Sequence, residues 1–275
     1  MKKSFLIAFL LLQVWAFGQT KNEVLFKIQY KPQATYSNTI QLTSQNIFTY
    51  GGSEEILADL KESGMENPMT LDQNSTIKTV FRTGKIKGGK EFPIQIEVTD
   101  VSESDGGKSV LPKGLVFYGN CAESGLPKLD SLSGISYDES TKKALLDVTR
   151  DLFLQIDIPE KRIKVGDTFS QSMPISIPGG PAEAIMDVVA DYKLISITNN
   201  FANFDIQITY KINSGAIDSI QAVGKGTGKM TYDTKNFYIT KHESNTEISL
   251  DIKDKEIDFS IKSKQSMVQT STLTN

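Results

Sequence analysis

The sequence predicts a mainly β protein of α+β type, one large curved antiparallel sheet with a single amphipathic helix covering it. Three observations carry this reading. Runs in which apolar and polar side chains alternate recur about ten or eleven times along the chain. One stretch alone holds a sustained helical period. The order of these runs lacks the regular strand and helix alternation of a doubly wound enzyme. Two quasi-similar β subdomains divided near Ile158 are the alternative, since each half has a polar entry followed by antiparallel-looking strands. Long strands twist and glycine-rich stretches bend, so curvature is expected in either arrangement.

The first strand-like run covers 24–30, where Val24, Phe26, Ile28 and Tyr30 share one face ahead of Pro32. Residues 35–42 are more polar and read as an edge strand. Ser53 followed by Glu54 and Glu55 suits the start of a short helix carrying Ile56, Leu57 and Leu60, with a loop as the alternative. Alternation returns at 76–82 and again at 91–98, where polar residues separate Ile94, Ile96 and Val98. Gly88-Gly89 and Asp105-Gly106-Gly107 flank that strand as turns. Leu115 to Tyr118 is a short apolar run, and 120–134 has little regular pattern.

The best helix spans 137–156. Ser136 is its expected cap, and Glu139, three residues on, completes a capping box. Leu145, Val148, Leu152 and Ile156 form an apolar seam that Phe153 widens, while Lys142, Lys143, Asp147 and Asp151 face water. Pro159 ends the approach to the second half. Strands are then expected at 161–165 and 168–174 around the Gly166-Asp167 turn. After Pro178-Gly-Gly-Pro181 comes a strand at 186–197. Next, Phe204, Ile206, Ile208, Tyr210 and Ile212 alternate cleanly with Asp205, Gln207, Thr209 and Lys211. Asn199-Asn200 reads as the hairpin reversal between these two. Further strands at 224–232, 237–243, 248–252 and 257–261 close the chain.

At the N-terminus, Lys2 and Lys3, the apolar run Phe5 to Leu12, and small residues at Ala16 and Gly18 have the form of a secretory signal. It occupies 1–18 and is cut before Gln19. The apolar run is shorter than the roughly 20 residues of a membrane span. No cysteine stands at the cleavage point to carry a lipid anchor. The expected product is one β-rich domain, 19–275, lying in the periplasm or outside the cell and not integral to a membrane. Of the 275 residues, 30 are Lys or Arg and 33 Asp or Glu; without Lys2 and Lys3 the balance is 28 against 33, a net charge of −5. Such a balance offers no field for nucleic acid. Cys121 has no partner for an internal disulfide and is expected to be a buried, inert thiol.

His242 is the one histidine, which excludes a zinc centre built on several histidines within the chain. Flanked by Lys241 and Glu243, it is expected to be solvated. There is no G-x-S-x-G elbow to pair with it. Gly224, Gly226 and Gly228 lack the lysine and hydroxyl order of a phosphate loop, so a bulge or close backbone approach accounts for them. Asp251, Asp254, Glu256 and Asp258 lack the spacing of a calcium loop, and Glu183, Asp187 and Asp191 fix no catalytic carboxylate pair. No catalytic residue, metal or cofactor is expected. The 14 Phe and 9 Tyr suit pleated core surfaces, and a subset lining the concave side of the sheet would form an apolar cleft. Phe204 and Tyr210, on the strand of clearest period, are the candidate ligand-binding residues.

The segment Gly224-Lys-Gly-Thr-Gly-Lys-Met-Thr-Tyr-Asp-Thr-Lys-Asn-Phe-Tyr-Ile-Thr-Lys241 resembles the late G-x-G, aromatic-Asp, short-turn pattern of uncharacterised exported β-rich proteins of Bacteroidota-type bacteria. Ala16-Phe-Gly-Gln19 and Val165-Gly-Asp167 are similar too. The resemblance spans nearly all the mature chain. It implies a shape related to periplasmic lipoprotein carriers, in which a curved antiparallel sheet and helices enclose an apolar site, and it brings no catalytic residues. The function expected is noncatalytic binding of a lipid or other apolar small molecule in the periplasm or envelope. A structural module engaging an envelope protein, and a hydrolase, are the alternatives.

Overall fold

The computed structural model describes residues 22–274 except 90, 105–110, 123–124, 135, 155–159, 178–183, 213–219 and 254–256. The expected signal peptide, the turn at Asp105-Gly106-Gly107 and the Pro178-Gly-Gly-Pro181 stop lie outside the described residues. Within them the chain forms β1 (Glu23–Phe26), β2 (Thr35–Gly52), α1 (Glu54–Glu62), β3 (Met69–Thr83), β4 (Glu91–Glu103), β5 (Val116–Ala122), β6 (Lys128–Ser133) and α2 (Glu139–Leu154). The second half contributes β7 (Lys161–Lys164), β8 (Thr168–Ile177), β9 (Ala184–Thr198), β10 (Phe201–Ile212), β11 (Ile220–Asp233), β12 (Tyr238–Lys253) and β13 (Ile257–Thr274).

Eleven of these strands make one sheet in the order β6-β5-β4-β3-β2-β13-β12-β11-β10-β9-β8, and every pair is antiparallel. Two runs of consecutive hairpins therefore meet where β2 pairs with β13, from Thr35 against Thr274 to Gly52 against Ile257. The edges β6 and β8 do not pair, so the sheet stays open. β1 and β7 form a separate two-stranded ribbon.

Several elements differ from expectation. Residues 35–42 belong to a central strand, because β13 continues to Thr274 and hydrogen-bonds along the whole of β2. Residues 120–134 hold the end of β5 and all of β6, with Leu129 buried against the first core. Asp138 rather than Ser136 caps α2. Its side chain accepts from the Thr141 N–H at 2.9 Å, and its carbonyl accepts from the Lys142 N–H at 3.0 Å. Hydrogen bonds that the carboxyl accepts from the Ser140 hydroxyl and from Thr141 hold Asp138 well below the usual carboxylate range. On α2 it is Leu146 that is buried, while Leu145 is half-buried like Lys142. The seam side chains Val148 and Leu152 and the whole of Ile156 lie outside the described residues. The segment after Ser53 is a helix, and the Ser53 hydroxyl accepts from the Ile56 N–H at 3.4 Å. At Asn199-Asn200 both φ angles are positive, 49° and 67°, which matches the twist a two-residue hairpin needs.

The two-residue period sorts the sheet into faces. Across the register, Tyr36 on β2, Phe81 on β3, Leu273 on β13, Met230 on β11 and Phe204 on β10 fall on one side. Lys78–Asp100, Arg82–Glu97, Lys241–Glu243 and Lys264–Glu247 pair on the other, solvated side. The apolar side carries two separate cores. One gathers Tyr36, Phe81, Phe92, Ile94, Val98, Leu115, Phe117, Cys121, Leu129 and Leu146. The other gathers Val24, Phe26, Ile163, Phe169, Leu194, Phe204, Ile206, Met230 and Tyr232. Curvature between them has identifiable causes. Register shifts interrupt the ladder at Lys78/Thr79, Asn203/Phe204 and Thr231/Tyr232. At Gly228, a Cβ would stand 2.3 Å from the Glu243 carbonyl oxygen, so only glycine lets β11 and β12 approach so closely.

Candidate functional site

Between the two cores the sheet borders a partly open cavity of about 580 Å³. Its floor is the centre of the sheet: Asn38, His242, Met267, Gln269 and Ser271. One wall comes from the first core, with Tyr30, Tyr36, Phe81 and Tyr238. Their rings touch in sequence: Tyr30 stands 4.7 Å from Phe81 and 5.4 Å from Tyr36, which stands 5.6 Å from Tyr238. The opposite wall is Phe26, Met173, Val188, Ala190, Tyr192 and Met230 from the second core and the β8 edge. Leu126 and Pro127, ahead of β6, reach the same space. A single cavity touched by β3 and β4 near one edge and by β8 at the other requires the open sheet to curl toward itself.

The segment 26–31 crosses between the cores, and its backbone is pinned at each step. The Tyr232 hydroxyl donates to the Lys27 carbonyl at 2.7 Å, the Gln29 N–H donates to the Phe237 carbonyl at 3.0 Å, and the Lys31 N–H donates to the Tyr36 hydroxyl at 2.9 Å. Phe26, Ile28 and Tyr30 thus face the cavity from one side of an extended chain. The alternate residues turn elsewhere: the Lys27 ammonium sits 4.5 Å over the Phe237 ring, and the Lys31 ammonium donates to Asn236 Oδ1.

His242 is half-buried and faces the cavity instead of the solvated side of the sheet. Opposite Met230 on β11 and Gln269 on β13, it belongs to the cavity floor. Its Nδ1 is buried without a hydrogen-bond partner, as is the Thr246 hydroxyl four residues along the same face. Burial pushes the imidazole below its ordinary value, with the Glu243 carboxylate opposing. Burial likewise raises Tyr30, Tyr36, Tyr192 and Tyr238, so the phenols around the cavity stay protonated. Cys121 is 2 % exposed, donates to the Ala122 carbonyl at 3.2 Å, and is pushed up to about 11, first by burial and then by Glu91. It has the character of a packed, unreactive thiol.

Phe204 and Tyr210, the residues singled out by sequence, do not border this cavity. Phe204 is 1 % exposed in the second core, 5.6 Å from the Phe26 ring and 6.1 Å from that of Phe169. The Tyr210 ring covers Gly224, where a Cβ would meet it at 2.7 Å. Sequence reasoning missed Tyr36, Tyr192, Tyr238, Met267 and His242. The signal of Tyr36, Tyr238, Met267 and His242 was weak, because polar residues such as Asn38, Ser244, Gln269 and Ser271 interrupt their strands on the cavity side, while on β9 Tyr192 sits among apolar residues and is indistinguishable by pattern from core. Among the described residues no group of three His, Cys, Asp or Glu stands close enough to hold a metal ion, and no helix is long and apolar enough to cross a membrane.

No protein-family model matches the chain, and no curated protein matches it. Among solved structures, a protein of YmcC-like fold from Bacteroides fragilis, provisionally classed as exported, is 11 % identical. It aligns over 86 % of this chain and 96 % of its own, with a TM-score of 0.22. Pseudomonas aeruginosa OpdK, solved with vanillate, is 6 % identical over 86 % of this chain and 99 % of its own, with a TM-score of 0.16. Likenesses at these scores carry no argument about this protein.

Proposed function

We propose that the protein is a noncatalytic binding protein of the periplasm or envelope, and that an apolar molecule of lipid character occupies the cavity between its two cores. The supporting observation is the cavity itself. At about 580 Å³ it falls within the roughly 300–1,000 Å³ common for small-molecule sites, whereas close packing leaves few voids larger than a water. Aromatic and aliphatic side chains make its walls, and polar groups are confined mainly to its floor and the β8 edge. In this reading the two hairpin runs act as quasi-similar halves that hold the cavity open, and α2, anchored by Leu146, covers the β6 end. His242 has no Asp or Glu beside it among the described cavity residues, which supports binding over hydrolysis.

Native mass spectrometry of the protein purified from its own envelope, followed by denaturing extraction, tests this reading. An adduct that is released as an apolar small molecule is the expected result. Ligand-free protein that also shows no saturable binding of extracted envelope lipids would remove the proposal and leave a protein-contact role as the better account.

A further inference from the structure

We infer that the cavity selects an uncharged amphiphile, its apolar body lying against Phe26, Ile28 and Tyr192 and its single hydrogen-bonding head, a hydroxyl, ester or amide, set against His242 and Gln269. This rests on the cavity being a ligand site. It adds the chemical class of the ligand and its orientation.

The first argument is charge. None of the described residues bordering the cavity is Asp, Glu, Lys or Arg, in a protein with 23 % charged residues. The two lysines of the crossing segment are committed elsewhere, Lys27 to the Phe237 ring and Lys31 to Asn236. A carboxylate or phosphate entering this space would lose its hydration and find no counter-charge, a cost that ordinarily forces such a group to stay in water or give up its charge. Lys241 and Glu243, which flank His242, pair with each other at 2.6 Å on the solvated face.

The second argument is the polar spot. His242 and Gln269 are direct partners across β12 and β13, in the middle of an otherwise apolar rung that runs through Met230 and Phe204 on one side and Ile40 on the other. With Nδ1 closed off and unpartnered, Nε2 is the atom through which the imidazole can hydrogen-bond into the cavity. Burial keeps that imidazole neutral at pH 7, so it offers a dipole and not a charge. The Tyr30, Tyr36 and Tyr238 rings border the same cavity and add apolar surface with neutral phenols. A wholly apolar ligand would leave His242 and Gln269 without partners, and a ligand with one neutral head satisfies them.

The test uses three probes of equal chain length, 1-dodecanol, dodecanoate and dodecane, each displacing a fluorescent N-phenylnaphthylamine from the purified protein at pH 8. Dodecanol is expected to bind about tenfold more tightly than dodecane, the effect of one or two hydrogen bonds. It should exceed dodecanoate by at least about tenfold, since at pH 8 the carboxylate is ionised. His242→Leu and Gln269→Leu should each bring dodecanol toward the dodecane value, while His242→Gln, which keeps a donor, should hold it within about threefold of the parent. Dodecanoate binding as tightly as dodecanol would overturn the inference, as would a dodecanol preference that survives both leucine variants. In either case the cavity would still be an apolar site. Failure of the dye and all three probes to bind would overturn the site reading and this inference together.

Discussion

The two cores of the sheet are assembled in different ways. Every buried member of the first, from Ala34 to Leu146, comes from one continuous half of the chain, and α2 supplies its last apolar group. The second needs Val24 and Phe26 from the start of the chain to meet Ile163 on β7 and a set of residues running to Tyr232. There Phe26 is the keystone. Its ring lies 4.9 to 5.6 Å from those of Tyr232, Phe169 and Phe204 and so bridges all three. The first core can therefore gather from nearby hairpins, while the second closes only after a connection spanning well over a hundred residues, a slow and entropically costly step. Continuous pairing of β2 with β13 joins the two into one sheet, through which the cores are expected to unfold together.

The sharpest way to break that picture is to open a hole in each core. Phe204→Ala removes a ring that is 1 % exposed and touches two others, and should cost about 3 to 5 kcal/mol. Leu146→Ala, on a helix at the border of the first core and 9 % exposed, should fall near the lower end of the about 2 to 5 kcal/mol range. Urea unfolding followed by far-ultraviolet circular dichroism should show one transition for both variants, shifted further for Phe204→Ala. Two separated transitions would mean that the β2–β13 seam does not couple the cores.

Legibility in the sequence follows the same division. β10 declares itself because Phe204, Ile206 and Ile208 pack into a true core, so apolar and polar residues must alternate. The seam strands do not. On β2 and β13 the cavity side carries Asn38, Ser44, Gln265, Gln269 and Ser271, since those positions border a cavity and a belt of small polar residues instead of a packed interior. That is why residues 35–42 look like an edge and why the strand past Ile261 is silent in pattern. Phe204 and Tyr210 fall away from the cavity for a related reason. The cleanest period marks the best-packed strand, and a packed ring such as Phe204 has no free face to offer. Phe26 and Tyr30 are legible as one face of the first run, but the partners that give that face a cavity lie on distant strands. His242 misleads because Lys241 and Glu243 point to the opposite side of the strand.

Gly228→Ala sharpens the comparison at the bend between the cores. Its new methyl group would meet the Glu243 carbonyl, a backbone atom that cannot swing away, so a loss of about 1 to 3 kcal/mol is expected. Gly89→Ala provides the control, since nothing stands within 4 Å of its Cβ, although its φ of 154° carries a backbone cost of its own. A Gly228→Ala protein as stable as the parent would show that β11 and β12 need no close approach. Tyr232→Phe is gentler. It deletes the hydroxyl that donates to Lys27, at about 1 kcal/mol, and should raise amide exchange at 23–31 while leaving the first core protected.

The smallest effect tests the cavity floor beside the seam, through the protonation of His242 on β12. Burial lowers its proton affinity in the folded chain below the ordinary value near 6.5 that the unfolded chain keeps. The unfolded state therefore binds the proton first as pH falls, and stability rises with pH across this window. The contribution is present in full above about 6.5 and is lost as pH drops toward the folded value. The groups facing the imidazole do not blur the signal, since Tyr30, Tyr36, Tyr192 and Tyr238 remain neutral throughout and Met230 and Gln269 do not titrate. On the far face Glu243, paired with Lys241, opposes the burial effect in part and is common to the parent and to His242→Gln. Urea midpoints measured between pH 7.5 and 5.5 should fall further for the parent than for His242→Gln, which has nothing to protonate. A ligand that hydrogen-bonds the neutral imidazole should make the parent's loss steeper, because protonation then also weakens binding. Equal slopes for the two proteins would mean that His242 is hydrated in solution, and that the floor of the cavity is wetter than its lining implies.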